Sequence, residues 1–401
     1  MKVVINKCAI GSKLIAPPSK SYAHRLLILA GLSGKEITVN NLDFSQDIKA
    51  TLSSLKSLGV DFTEQEKSIT FLARKENLCV KDTFNCFESG STLRFFIPIA
   101  LALSDRATFV GTEKLISRGI KVYQELFKDK GITFDIKKET ITVSGRLKPG
   151  TFNVLGNVSS QFITGLMFGA MLLNNDSEIN VIPPIESQSY IDITVDALNS
   201  FGVSVSKVAT NSYIIKGNQK PYKSEVCVEG DWSNGAFLLA LNYIGAKVSV
   251  EGLNENSKQG DKAVVQIFEK ISKGYTKIDL SDVPDLAPIC FAMASLYNGA
   301  MFTGTRRLKI KESDRANAMK EELKKFGVSV TVGENFVDIK DPKIQAPTEV
   351  LYGHNDHRIV MALSVLSLLV GGSIEGAEAI NKSYPKFFDD LISLGAEISY
   401  E

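Results

Sequence analysis

Hydrophobic and polar positions along the chain repeat one pattern six times. A stretch with helical spacing of apolar residues ends at a glycine, and a run of alternating apolar and polar residues follows. A glycine after the last helical turn can take the left-handed conformation that ends a helix, and the alternation is typical of a half-buried strand. Each copy therefore predicts a helix, a glycine turn and a strand. The copies lie at residues 55–62, 126–134, 198–205, 323–330 and 391–398, with a weaker copy at residues 271–274.

The spacing of the copies defines the repeating unit. Their glycines stand at positions 59, 131, 202, 274, 327 and 395. A period of about seventy residues fits a supersecondary unit of strands and helices and exceeds a solenoid repeat. Residues 62–71 and 132–143 each predict a hairpin around a polar turn. After Gly274 the chain passes almost at once into residues 283–285, so this copy is predicted to lack its hairpin.

Six units divide naturally into two domains of three, as expected for a chain of 401 residues. The predicted crossover lies near residues 221–229, after three complete copies. The last copy stops at Glu401 without a partner strand, and the strand predicted at residues 2–10 can complete it. We therefore expect a first domain at residues 14–223 and a discontinuous second domain at residues 1–13 plus 224–401.

Composition limits the classes of function. The chain has 46 Lys and Arg against 45 Asp and Glu, a net charge of +1, which argues against a general binder of nucleic acid or membrane surfaces. The sequence has no apolar run of membrane-spanning length and no signal-peptide core at its start. Its five cysteines form no CxxC motif. We expect a cytoplasmic enzyme with reduced thiols, whose anion sites are local clusters.

Polar residues stand before several apolar helices of the N-terminal half. Lys20 and Ser21 precede a helix predicted over residues 26–32, and Arg25 lies one turn beyond Ser21. Backbone N–H groups at a helix start, with a lysine and a hydroxyl beside them, suit a phosphate. A capped surface helix with solvated cations explains this segment equally well when it is taken alone, and simple capping is the favoured interpretation of the Ser159–Ser160 pair by itself. The same pattern recurs at Gly90 to Arg94, at Arg118 and at Ser159, Ser160 and Gln161.

The C-terminal half carries a denser set of charges. Asp285 stands at the entry to an apolar helix, where it could be an N-cap. Residues 311–315 pack two cations and two carboxylates together, and residues 355–358 open another apolar helix. His354 and His357 could share a metal, but no motif completes a ligand set. If these helix starts converge, they form a site for multiply charged anions, which suggests two phosphorylated, carboxylated substrates and chemistry without a metal.

Seven motifs in order resemble the signatures of the 5-enolpyruvylshikimate-3-phosphate synthase family, and with Lys382 they extend over nearly the whole chain. They are Lys20-Ser21-x-x-x-Arg25, Ser89-Gly90-Ser91-Thr92-x-Arg94, Val158-Ser159-Ser160-Gln161-Phe162, Tyr190-Ile191-Asp192-Ile193-Thr194, Glu229-Gly230-Asp231, Lys311-Glu312-x-Asp314-Arg315 and Asn355-Asp356-His357-Arg358. The resemblance implies an α/β fold, a two-domain inverse α/β barrel. Each domain has three βαβαββ-type units, and the active site lies in the cleft between the domains.

The resemblance also implies substrates and roles, with no cofactor and no metal. It implies a monomer that transfers the enolpyruvyl group of phosphoenolpyruvate to shikimate 3-phosphate. Shikimate 3-phosphate would meet Lys20, Ser21, Arg25, Ser159, Ser160, Gln161, Ser187, Tyr190, Asp285 and Lys311. Phosphoenolpyruvate would meet Lys20, Gly90, Arg118, Gln161, Arg315, Arg358 and Lys382. The implied catalytic residues are Asp285 and Glu312, with Lys20 at the phosphate side.

Some positions depart from the common family pattern. Glu88 and Arg307 stand where Asn is frequent, Ser189 replaces Pro, Ser91 replaces Thr, and the hairpin after Gly274 is missing. These departures bear on local contacts and inhibitor sensitivity and leave the implied chemistry intact.

Three alternatives fit the sequence less well. The sister enzyme that acts on UDP-N-acetylglucosamine carries Lys-Asn near its start and a catalytic cysteine, whereas this chain has Lys-Ser and no cysteine at residues 107–120. A non-catalytic anion-binding protein would not need both Asp285 and Glu312. An RNA-end cyclase would need a nucleophilic histidine, and the surroundings of His357 resemble the synthase instead.

Overall fold

The computed structural model describes residues 1–81 and 83–401, which form two compact units. The N-terminal unit is Lys20–Val228, and the C-terminal unit combines Met1–Ser19 with Glu229–Glu401. The domain boundaries expected from the sequence lie five or six residues before these changes of unit and stay a prediction. Both units are built from short mixed sheets and helices, in agreement with the expected α/β class.

The elements are numbered in chain order. The α-helices are α1 (Lys20–Ser33), α2 (Gln46–Ser57), α3 (Gly90–Leu103), α4 (Glu113–Ser117), α5 (Lys121–Phe127), α6 (Ser160–Ala170), α7 (Gln188–Ser200), α8 (Trp232–Ala240), α9 (Val264–Lys273), α10 (Ala287–Leu296), α11 (Arg315–Lys325), α12 (His357–Val370) and α13 (Phe387–Ser393). Short 3₁₀ turns lie at Lys128–Lys130, Leu241–Ile244, Gly260–Ala263, Pro284–Leu286, Arg306–Ile310 and Ala377–Lys382.

The strands of the N-terminal unit are β3 (Ile37–Asn40), β4 (Phe62–Glu64), β5 (Ser68–Phe71), β6 (Phe84–Phe87), β7 (Arg106–Gly111), β8 (Thr133–Ile136), β9 (Thr140–Ser144), β10 (Thr151–Leu155), β11 (Ser177–Ile182), β12 (Val205–Ala209), β13 (Ser212–Ile215) and β14 (Glu225–Cys227). Those of the C-terminal unit are β1 (Lys2–Ile5), β2 (Gly11–Ile15), β15 (Lys247–Glu251), β16 (Thr276–Asp279), β17 (Gly299–Thr303), β18 (Val330–Val332), β19 (Phe336–Lys340), β20 (Leu351–Tyr352), β21 (Gly372–Glu375) and β22 (Ile398–Tyr400).

Each complete repeat builds one four-stranded sheet. In the sheets β6-β7-β9-β8, β10-β11-β13-β12 and β16-β17-β19-β18, the first two strands are parallel and the last two form an antiparallel hairpin. Parallel neighbours need a crossover connection, which here contains a helix, whereas an antiparallel pair can be joined by a tight turn. The two hairpins predicted from the sequence are confirmed as β4–β5 and β8–β9.

The two irregular repeats also agree with the sequence. After α9 the chain enters β16, which pairs with the next repeat, so within the described residues no hairpin follows Gly274 and the sheet β15-β2 has two strands. β1 pairs with β21 and β22, which confirms that the N-terminal strand completes the last repeat. The ordered strand covers only Lys2–Ile5, and the prediction of a strand through residue 10 was too long.

Two strands pair with partners far away in the sequence. β2 leads directly toward α1 of the N-terminal unit, but it pairs in parallel with β15. β14 leads toward α8 of the C-terminal unit, but it pairs in parallel with β3. Each crossover strand therefore belongs to the sheet of the unit that the chain is leaving. These two pairings were not predicted from the sequence.

The repeat glycines end their helices as expected in five copies. Gly59, Gly131, Gly202, Gly327 and Gly395 have φ between 70° and 101°. In that region a Cβ would crowd the following carbonyl oxygen, so glycine is favoured. In the sixth copy Gly274 has φ 161°, which is extended backbone. The weaker copy therefore keeps the residue but not the turn.

Apolar helices occupy the centre of each unit and place polar residues at their first turns. α3 and α6 are buried along nearly their whole length in the N-terminal unit, as are α10 and α12 in the C-terminal unit. A helix that is apolar on all sides is stable only inside a core. Its polar first turn must then be satisfied by caps, other side chains or ligands.

Candidate active site

Four helices of the N-terminal unit begin at the residues that the sequence singled out. α1 begins at Lys20, six residues before the predicted start, so Lys20 and Ser21 lie in its first turn. α3 begins at Gly90 with Ser89 as its N-cap, and α6 begins at Ser160 with Ser159 as its N-cap. Ser187 precedes α7 with a left-handed φ of 60°. The cap of α6 is therefore a real structural role for Ser159.

Arg25 ties three of these helices together. Its Nε donates to Thr194 Oγ1 at 2.9 Å, and its Nη2 donates to the Tyr190 carbonyl at 3.1 Å, both in α7. The same Nη2 donates to Thr164 Oγ1 of α6 at 3.3 Å, and Nη1 donates to the Ser21 carbonyl at 2.6 Å. Burial lowers the pKa of Arg25 to about 10, so the group stays charged at neutral pH. The N-terminal halves of α1, α6 and α7 consequently lie side by side.

A second set of contacts joins α6 to α3 around Gly90. Arg94 Nη1 donates to Gln161 Oε1 at 2.5 Å, and Gln161 Nε2 donates to Ser91 Oγ at 2.9 Å. A Cβ added at Gly90 would lie 3.3 Å from Arg94 Nη1 and 3.4 Å from Arg118 Nη2. Two guanidinium groups thus meet the N-terminus of α3 where the backbone carries no side chain. This arrangement suits a carboxylate or phosphate.

A chain of buried hydrogen bonds links α1 and α2 to the start of α3. His24 Nδ1 hydrogen-bonds with Thr51 Oγ1 at 2.7 Å, Thr51 with Thr92 Oγ1 at 2.9 Å, and Thr92 donates to Ser89 Oγ at 2.8 Å. Burial and the neighbouring cations hold the pKa of His24 well below its usual value, so the ring is neutral. Lys20, at the start of the helix that carries His24, donates from Nζ to Asp47 Oδ2 at 2.9 Å.

Asp285 is the centre of the cluster in the C-terminal unit. Its Oδ1 accepts from Arg315 Nη1 at 2.7 Å and from Lys311 Nζ at 3.1 Å, and its Oδ2 accepts from Arg358 Nη2 at 3.2 Å. Burial raises the pKa of this carboxyl, but the three cations outweigh it and hold the pKa well below the usual value. The N-cap considered from the sequence is not its role, since its carboxylate is occupied by these cations.

Arg315 connects three carboxylates and is almost fully buried. Besides Asp285, it donates to Glu312 Oε2 at 2.6 Å and to Asp356 Oδ2 at 2.8 Å. The side chain of Glu312 is 24% exposed, whereas that of Asp356 is completely buried. Glu312 is therefore the carboxylate of this trio that a substrate reaches most easily, and Asp356 is structural.

Arg358 and Lys382 are oriented by neighbouring elements. Arg358 Nη1 donates to Ser233 Oγ at 2.8 Å, in the first turn of α8. Lys382 Nζ donates to the Asn355 carbonyl at 2.8 Å. Nearby Asp261 is buried, and burial together with the Asp285 carboxylate raises its pKa to about 7. No local pattern in the sequence marked Asp261, Ser233 or Thr164, because their roles depend on contacts across the fold.

The residues predicted from the sequence thus fall into two clusters, one in each unit. The N-terminal unit holds Lys20, Ser21, Arg25, Gly90, Arg118, Ser159, Ser160, Gln161, Ser187 and Tyr190. The C-terminal unit holds Asp285, Lys311, Glu312, Arg315, Arg358 and Lys382. Arg94 belongs to one of the sequence motifs but was not assigned a role from the sequence. The structure places its guanidinium beside Gly90, where it hydrogen-bonds with Gln161.

Among the residues described, one group has the spacing of a metal site, and it lies outside both clusters. It consists of Glu321, Glu322 and His354. Lys325 Nζ already bonds both oxygens of Glu322, at 2.9 and 3.0 Å. The metal pair considered from the sequence was His354 and His357. His357 is not part of this group and is buried in the first turn of α12.

Comparison with known proteins agrees with this arrangement of motifs. The sequence model of EPSP synthase (3-phosphoshikimate 1-carboxyvinyltransferase) matches residues 6–276 and 272–391. The chain belongs to the EPSP synthase family. The resemblance found in the motifs is therefore confirmed.

Relatives of the EPSP synthase family match over the full length. The 3-phosphoshikimate 1-carboxyvinyltransferase of Clostridium kluyveri is 40% identical, over 99% of this chain and 98% of the relative. The corresponding protein of Clostridium novyi is 39% identical, over 97% of this chain and 96% of the relative. No helix in the described part of the chain is long and apolar enough to cross a membrane.

Solved structures confirm the fold. EPSP synthase of Acinetobacter baumannii superposes with a TM-score of 0.81 at 21% identity, over 100% of both chains. The enolpyruvyl transferase NikO of Streptomyces tendae superposes with a TM-score of 0.74 at 10% identity, over 100% of this chain and 98% of that one. The architecture of enolpyruvyl transferases is thus retained at low sequence identity.

Proposed function

We propose that this chain transfers the enolpyruvyl group of phosphoenolpyruvate to the 5-hydroxyl of shikimate 3-phosphate and releases phosphate, a step of the shikimate pathway. The observation that carries the proposal is the Asp285 cluster. It combines three cations with two carboxylates, Asp285 and Glu312, that share Arg315. Membership of the EPSP synthase family supports the same reaction.

The reaction is an addition followed by an elimination. The 5-hydroxyl oxygen bonds to C2 of phosphoenolpyruvate, the hydroxyl proton leaves to a base, and C3 takes up a proton. The tetrahedral ketal then loses phosphate. The bond between C2 and the phosphate oxygen breaks, and C3 gives up a proton to form the new enol ether. Asp285 and Glu312 carry these proton transfers, and Lys20 stabilises the charge of the departing phosphate.

The cations contribute because they are positioned before the reaction. Lys311, Arg315 and Arg358 are held by hydrogen bonds to Asp285. Fixed donors stabilise developing charge without the cost of reorganisation. The same pairing keeps Asp285 ionised, so arrival of two anionic substrates near these cations raises its basicity.

We assign the substrates to both clusters. Shikimate 3-phosphate binds at the residues implied above, led by Arg25, Ser159 and Ser160, and phosphoenolpyruvate binds at Gly90, Arg118 and the C-terminal cations. The convergence of two guanidinium groups on the α3 N-terminus supports the second assignment.

We further propose that the protein acts as a monomer in the cytoplasm, where its five free cysteines stay reduced. Light scattering after gel filtration tests the monomer.

Phosphate release tests the proposed reaction. Purified enzyme is incubated with phosphoenolpyruvate and shikimate 3-phosphate, and in parallel with phosphoenolpyruvate and UDP-N-acetylglucosamine. We expect release only with shikimate 3-phosphate, with a loss of about 100-fold or more in Glu312→Ala. Release only with the sugar nucleotide would show that the enzyme acts on UDP-N-acetylglucosamine instead. No release with either acceptor would refute the proposal.

A further inference from the structure

A buried carboxylate outside both clusters anchors the chain just before the Asn355–Arg358 motif. Glu322 lies in α11 and is 1% exposed. Its Oε2 accepts from the Tyr352 N–H at 2.9 Å, and its Oε1 hydrogen-bonds with His354 Nε2 at 2.9 Å. Hydrogen bonds from His354, Lys325 and the Tyr352 N–H outweigh the effect of burial and lower the pKa of Glu322. The carboxylate is therefore ionised at neutral pH and engaged through both oxygens.

The segment held by Glu322 has an unusual backbone. His354 and Asn355 are consecutive non-glycine residues with φ of 49° and 52°, in the left-handed region. Such residues persist where surrounding contacts fix them, and they concentrate at functional sites. On the other side of the segment, the Gly353 N–H donates to the Glu375 carbonyl at 2.8 Å. The turn is thus fixed between β21 and α11.

Asn355 and the next residue, Asp356, hold two side chains of the proposed active site. The Asn355 carbonyl accepts from Lys382 Nζ at 2.8 Å. Asp356 caps α12 through the Arg358 N–H at 3.0 Å and accepts from Arg315 Nε at 2.8 Å. A change in the φ angles of the turn would therefore displace an acceptor of Lys382 and an acceptor of Arg315 at the same time.

We propose that Glu322 and His354 are positioning residues for the reaction, because their hydrogen bond fixes the turn that orients Lys382 and Arg315. This inference rests on the proposed function. Lys382 and Arg315 are both assigned to phosphoenolpyruvate, and shikimate 3-phosphate is assigned mainly to the N-terminal unit. Loosening the turn should therefore affect binding of phosphoenolpyruvate more than binding of shikimate 3-phosphate.

Steady-state kinetics of matched variants tests this role. His354→Ala removes the hydrogen bond, and His354→Gln places an amide N–H close to the position of Nε2. We expect KM for phosphoenolpyruvate to rise about ten-fold in His354→Ala and Glu322→Gln, with KM for shikimate 3-phosphate changed less than two-fold, and to recover substantially in His354→Gln. The control is Glu321→Gln on the same helix, whose carboxylate is 67% exposed and 3.9 Å from His354 Nε2, and it should match wild type.

Hydrogen exchange measured by mass spectrometry provides a readout independent of turnover. Peptides covering residues 350–358 should exchange faster in His354→Ala than in wild type, while the N-terminal unit is unchanged. An active wild type whose His354 and Glu322 variants keep their KM for phosphoenolpyruvate would refute the positioning role. An inactive wild type would instead refute the proposed function. Should Glu322→Gln fail to fold, the partly exposed His354 pair decides the question alone.

Discussion

Replacement of Asp356 separates two contributions that one carboxylate makes to the C-terminal unit. Its Oδ2 is 2.8 Å from Arg315 Nε, and its Oδ1 accepts from the Arg358 N–H at 3.0 Å as the N-cap of α12. Asp356→Asn removes the charge and can keep the cap, because Asn and Asp are equally good N-caps. Asp356→Ala removes both.

The expected magnitudes follow from burial and from the partners that remain. Breaking a buried ion pair by removal of one partner costs about 3–5 kcal/mol. Arg315 keeps Asp285 and Glu312, so we expect the lower end, about 3 kcal/mol, for Asp356→Asn. Loss of an N-cap adds about 1 kcal/mol, so Asp356→Ala should cost about 4 kcal/mol.

Equilibrium urea unfolding followed by tryptophan fluorescence measures both losses. The chain has one tryptophan, Trp232, which is buried at the start of α8 in the same unit as Asp356. Asp314→Asn is the control, since Asp314 caps α11 at a partly exposed position and Asn preserves the cap. Asp356→Asn within about 0.5 kcal/mol of wild type would show that the Arg315 pair contributes no net stability. Equal losses in the Asn and Ala variants would reject the contribution of the cap.

Two further predictions concern packing and pH. Gly165→Ala should destabilise by about 1–3 kcal/mol, because its Cβ would lie inside van der Waals contact of the Arg94 carbonyl and Tyr123 Oη. Gly274→Ala is the control, because position 274 has open space for a Cβ and an extended backbone. In thermal unfolding the Tm of this control should equal or exceed that of wild type. Equal losses of Tm at both sites would refute the packing argument. Burial and a neighbouring carboxylate raise the pKa of Asp261 to about 7, so its contribution to stability is complete below about pH 4 and is lost as pH rises to about 7. Asp261→Asn should therefore flatten the Tm profile over that interval, and an unchanged profile would contradict the assignment.

Local sequence patterns predicted the repeating units well because their causes are local. A helix that ends in a left-handed turn needs glycine, so Gly59 and Gly327 mark helix ends wherever the chain goes afterwards. The alternation at residues 62–71 determines which side chains face the core. Gly274 shows the limit of this reasoning, since the residue is kept while its backbone is extended and the hairpin is missing.

The partners of the crossover strands could not be predicted from the sequence. β2 and β14 have five and three residues. Short strands carry little information about which of several similar sheets they join. Their pairing with β15 and β3 is decided by the tertiary structure, where backbone N–H and C=O groups at a sheet edge need partners.

The sequence by itself determined which residue types this protein places at its helix starts, and those motifs were enough to indicate the family. Only the tertiary structure decided what each charge does. A sequence treats Asp285, Glu312 and Asp356 alike as carboxylates near helix starts, but folding leaves Glu312 partly exposed and encloses Asp356 completely beside Arg315. The physical reason is that burial and charge partners set the pKa and accessibility of a group, and both arise from residues distant in the chain.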